Sequence, residues 1–80
     1  MKATNIIYSE RTIGDGITAY EVLNANTLQT LAEYHIVDHS TEQGTMYLVH
    51  RAEDTSKAVW VDSIVQAWAV CQQDYIARVA

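Results

Sequence analysis

The chain of 80 residues has no proline, one cysteine, three glycines and only five basic residues. Each shortage excludes something. With Cys71 alone, no intrachain disulfide can staple the fold, and a single thiol suits a reducing cytoplasm better than a secreted setting. Without proline, and with no low-complexity run, nothing reads as a linker, so residues 1–80 are read as a single domain. The bases Lys2, Arg11, Arg51, Lys57 and Arg78 are scattered, which argues against a phosphate-binding footprint and hence against direct nucleic-acid binding. No window approaches 18 uninterrupted apolar residues, and Met1–Asn5 lead into a short apolar patch rather than a signal-peptide core. The expectation is a soluble cytoplasmic chain with no membrane segment.

What is present is a globular composition. The apolar fraction is 49% and the net charge is −5, from ten acidic residues against five basic ones. A chain this short buries only about 60–65% of its unfolded surface, so its core is thin. Small domains of this kind usually add disulfides, a metal or a partner. With the first excluded, a metal, a partner or tight packing remains.

Thr4–Ile13 is rich in β-branched and aromatic residues and reads as a strand. Gly14-Asp15-Gly16 is the strongest turn signal, and Ile17–Asn24 reads as the returning strand. Charges argue the register. A two-residue loop would set Glu10 opposite Glu21, a destabilising pair, whereas a three-residue loop sets Glu10 opposite Tyr20. The second register puts Ile7, Ile13, Ile17, Ala19 and Leu23 on one face, and Ile6, Tyr8, Tyr20 and Val22 on the other.

Asn26-Thr27-Leu28-Gln29 resembles a helix N-cap with its reciprocal partner. The stripe Leu28, Leu31, Ala32, His35 and Ile36 then predicts a helix ending near His39. Thr45–Arg51 and Lys57–Asp62 predict a second hairpin, with Tyr47, Val49, Val59 and Val61 on one face and Met46, Leu48, Ala58 and Trp60 on the other. Ser63-Ile64-Val65-Gln66 fits a capping box opening a last helix, with Arg78 well placed for its dipole. Asn26–Ala32 lies over Ser63–Ala69 in pattern, for which duplication is one reading and ordinary helix-start grammar the commoner one. The fold expected is α+β in ββαββα order: two hairpins in an antiparallel sheet, with two helices on one face.

Two helices cover only one side of such a sheet, and the other side would expose several aromatics. Tyr and Trp are favoured at interface cores. Tyr8, Tyr20, Tyr47 and Trp60 are therefore the expected contact surface, with Glu10 and Glu21 as a steering rim. The expected function is a non-enzymatic protein-interaction module that binds another protein, with inhibition of that protein as one outcome. Its size and acidity are those of many small accessory proteins that phages and plasmids use against host proteins. A structural or regulatory homodimer is the first alternative.

The other alternative is a small metal-dependent or catalytic protein. His35 and His39 stand one helical turn apart, a spacing that can place two imidazoles on one metal, with Asp38, His50 or Cys71 as a third ligand. The plainer reading puts His35 in the helix stripe and His39 near the helix C-terminus. No cofactor is expected: Gly14-Asp15-Gly16 lacks the lysine and serine of a phosphate loop. Cys71 lies among Trp68 and Tyr75 with no base beside it.

Overall fold

The computed structural model describes residues 5–80. It is a five-stranded antiparallel sheet followed by one helix. The strands are β1 (Ile6–Gly14), β2 (Ile17–Asn24), β3 (Thr30–Asp38), β4 (Tyr47–Arg51) and β5 (Asp54–Val61), and the helix is α1 (Ile64–Val79). Spatial order equals chain order, β1-β2-β3-β4-β5, so every strand pairs with its sequence neighbour. The expected ββαββα order is corrected: the first helix is absent and its residues form the central strand. The beginning of the expected first strand, Thr4, lies outside the described residues.

The reason lies in a coincidence of spacing. Leu28, Leu31, Ala32, His35 and Ile36 satisfy a helical period, yet Ala32, Tyr34 and Ile36 also alternate with Leu31, Glu33, His35 and Val37. In the structure the first three are buried and the other four are more accessible. Thr30, Tyr34, Ile36 and Val37 are β-branched or aromatic, and such side chains pack well on a pleated surface. The apparent N-cap is a hairpin turn. Asn24 Oδ1 accepts from the backbone N–H groups of Asn26 (2.8 Å) and Thr27 (3.2 Å), and Leu28 takes φ of 62°. Asn24 thus supplies an Asx-type turn that launches β3. The suggested duplication goes with the helix, since Asn26–Ala32 is turn and strand whereas Ser63–Ala69 opens α1.

In the first hairpin Glu10 does lie opposite Tyr20 and Tyr8 opposite Val22, as the charges indicated. The expected three-residue loop is corrected: the turn is Asp15-Gly16 alone, Gly14 pairs with Ile17, and a bulge at Ile13 is what keeps Glu10 opposite Tyr20. Gly16 takes φ of 71°, a left-handed value that glycine adopts without Cβ strain. Its carbonyl accepts from Asp38 N–H at 2.8 Å, tying the turn to the end of β3.

Helix α1 begins at the expected cap, where Ser63 Oγ accepts from Gln66 N–H at 3.1 Å. It lies on one face of the sheet, centred on β4, and does not reach β1. The core forms there, from Tyr20, Val22, Ala32, Tyr34, Ile36 and Val49 of the sheet with Ala67 and Cys71 of the helix. A polar seam fixes the helix along this face. Arg51 donates twice to the Asp74 carboxylate, from Nε (2.9 Å) and Nη2 (3.0 Å), and Tyr34 OH donates to the same group at 2.7 Å. Gln72 Nε2 donates to Tyr20 OH at 2.9 Å.

The seam shifts its own ionisations. The Arg51 hydrogen bonds, joined by that of Tyr34, hold Asp74 below the usual carboxylate range. Burial, reinforced by the neighbouring carboxylate, pushes the Tyr34 phenol up to about 12. Burial likewise raises the Cys71 thiol to about 12, so the thiol stays protonated at neutral pH.

A candidate docking face on the uncovered side of the sheet

Because side chains alternate along a strand, the other face of the same sheet can be written out from the register. At the end nearest the β1–β2 turn, Ile17 pairs with Val37, Val37 with Leu48, and Leu48 with Trp60. These four side chains form one apolar row crossing four strands. Trp60 closes the row on edge strand β5 and is 54% exposed, with the His39 ring edge-on to it at 5.1 Å between centroids.

One step along the strands the face turns polar. Arg11 pairs with Ala19, Ala19 with His35, and His35 with His50. Ala19 is fully buried although no helix covers it, so larger neighbours on the same face roof it over. In the next row Glu21 lies directly opposite Glu33. Two carboxylates so placed repel, and Arg11 stands between them, with Nε 3.1 Å from Glu21 and Nη2 3.9 Å from Glu33. Glu33 also meets His35 Nε2 at 2.9 Å. The polar centre is thus paired within itself, while among the described residues no helix covers the apolar row and His39 meets it at Trp60.

The structure divides the residues expected to form one contact surface. Tyr8, Tyr20, Tyr47 and Glu10 share the helix side; Trp60 and Glu21 are on the open side. Tyr20 is buried at 4% exposure, and Tyr8 stacks on it with ring centroids 5.6 Å apart. Tyr47 packs against the core. Of the four aromatics only Trp60 belongs to the uncovered face. Leu48 is on the face expected for Trp60, but Val37 and Ile17 join that row only because residues 30–38 are a strand and not the expected helix.

The His35/His39 pairing is also corrected. Four residues along an extended strand span about 13 Å, not one helical turn, and His39 lies beyond the end of β3. The strand instead brings His35 beside His50, at 5.6 Å between ring centroids. Among the described residues no three His, Cys, Asp or Glu side chains surround a common point.

Two concave sites among the described residues are small. A cavity of about 60 Å³ lies between α1 and the β4–β5 hairpin, lined in part by Tyr34, Arg51, Val70 and Asp74. A shallow cleft of about 280 Å³ sits beside Gly16, Ile17, Asp38 and Ile64. Small-molecule sites usually start at about 300 Å³ and enclose most of the ligand. The broad open face is therefore the candidate site. No helix among the described residues is long and apolar enough to cross a membrane.

No protein-family model, curated protein or solved structure matches this chain.

Proposed function

We propose that this chain is a non-enzymatic interaction module that docks a protein partner on the uncovered face of its sheet. The observation that carries the reading is the in-register row Ile17–Val37–Leu48–Trp60, on the face away from α1 and ending in a half-exposed tryptophan. Exposed tryptophans flanked by aliphatic side chains are frequent anchors of interfaces. Five strands about 4.8 Å apart and about eight residues long give the face roughly 600 Å², near the 800 Å² per partner of standard interfaces. A module of this kind acts by occupying a surface of its partner, as an inhibitor does.

A second reading seats another copy of the chain on the same face. Its support is the mixed charge of the polar centre, Arg11 with Glu21 and Glu33, which a two-fold axis can set against itself.

The test is affinity capture from native extract with the wild type, Trp60→Ala and Tyr8→Ala, alongside light scattering of each. Capture that survives Tyr8→Ala and falls at least about tenfold with Trp60→Ala supports the docking face. A dimer mass abolished by Trp60→Ala moves the reading to the homodimer. Equal capture by all three proteins, all monomeric, overturns both.

A further inference from the structure

We propose that His35 and His50 form a binding site for a borderline divalent transition-metal ion, of the Zn²⁺, Ni²⁺ or Cu²⁺ type, with Glu33 as third ligand. The inference stands on the cross-strand geometry alone and does not depend on the docking reading. The two histidines are direct partners on β3 and β4, with ring planes inclined at 69°. An ion about 2.1 Å from an imidazole nitrogen lies about 3.2 Å from that ring's centre. Two such vectors at the tetrahedral angle hold ring centres about 5.2 Å apart. The observed separation is 5.6 Å.

Hydrogen bonding around the pair suits the role. His50 Nδ1 lies 2.7 Å from the Arg51 carbonyl oxygen, so it carries the hydrogen and Nε2 keeps the lone pair. A ring fixed in this way by a backbone carbonyl is the usual arrangement behind a metal-bound imidazole. His35 Nε2 and Glu33 Oε2 are 2.9 Å apart. An ion taking the place of the hydrogen between them makes both atoms ligands. It needs only a proton shift within the His35 ring, from Nε2 to Nδ1, and a slight opening of the gap. No three-ligand cluster is preformed among the described residues, and Glu33 must exchange its hydrogen bond to His35 for the ion as the site forms.

Electrostatics and space agree. With the imidazoles neutral, the surrounding charges on this face are Arg11 on β1, Glu21 on β2 and Glu33 on β3, a balance of −1 that favours a cation. Ala19, the other cross-strand partner of His35, is too small to crowd an ion there.

The test is calorimetric titration of the full chain with ZnCl₂ at pH 7.5, with MgCl₂ as the hard-cation control. The expected result is one Zn²⁺ per chain and no Mg²⁺ binding. Affinity should fall at least about tenfold in His50→Gln, somewhat less in Glu33→Gln, and not at all in His39→Gln. Circular dichroism of each variant checks that the fold persists. Zn²⁺ affinity weaker than about 1 mM, or the same in His50→Gln as in the wild type, overturns the proposal.

Discussion

The two faces of one sheet, built by the same five strands, do opposite work. The side under α1 holds almost every buried side chain, and its polar groups are spent on fixing the helix through Asp74, Arg51, Tyr34 and Gln72. The open side pairs its charges within itself and leaves its apolar row uncovered. Neighbouring residues on β3 carry the contrast at its sharpest. Ile36 is buried against the helix, while Val37, one position on, belongs to the open row. The buried core and the open face are thus separated by the period of two in an extended strand rather than by distance along the chain.

That separation can be broken by mutation. Ile36→Ala is expected to cost about 3 kcal/mol in urea denaturation, against under about 1 kcal/mol for Val37→Ala. A domain of this size has about 4–12 kcal/mol in total. Equal losses at the two positions would end the division of labour.

Next comes Asp74→Asn, which weakens the hydrogen bonds from Tyr34 and Arg51 and is expected to cost about 1–2 kcal/mol, given that the side chain is partly exposed. Its pH dependence has a definite sign. Asp74 ionises more easily folded than unfolded, so its contribution is present above the unfolded value near 3.9 and is lost as pH falls through the folded one. The gap between wild type and Asp74→Asn is expected to close below about pH 4 in acid titrations of stability. At the alkaline end Tyr34 and Cys71 act in the opposite sense. Their raised values give stability that is whole below the unfolded values of 10.0 and 9.0 and drains as pH climbs towards about 12.

Gly16→Ala is expected to cost about 1 kcal/mol, measured by thermal melting. The site has ordinary space for a Cβ, so the left-handed φ is what penalises alanine. The smallest effect expected is that of Trp60→Ala on stability, within about 1 kcal/mol by denaturation, because its side chain is over half exposed. A large loss there would show that the tryptophan serves the fold rather than a partner.

Much of this architecture could be read from residue order alone. The first hairpin's register came from keeping Glu10 away from Glu21, and Ser63 with Gln66 marked the start of α1. The faces within each hairpin were also legible by simple alternation. Which face of one hairpin continues which face of the other was not, because β3 sets that relation. Once Thr30–Asp38 is a strand, Tyr8 and Tyr20 share a side with Tyr47, and Trp60 falls on the opposite side. The helical reading of β3 failed because an apolar set at i, i+3, i+4, i+7 and i+8 also fills both sides of a two-faced strand. The opposed carboxylates Glu21 and Glu33 show the limit of charge reasoning. A like pair is admitted where a third group, here Arg11, can bridge it.

The meander has a kinetic corollary. Since each strand joins the one made just before it, the sheet can grow one hairpin at a time, with short loops to close and no distant segment to await. Until α1 follows and docks, Tyr20, Val22, Tyr34, Ile36 and Val49 lie bare on a forming sheet. The final sixteen-residue helix therefore acts as the seal on assembly. A chain cut short before residue 64 would keep its hairpins but present two sticky sides instead of one, and would be expected to aggregate.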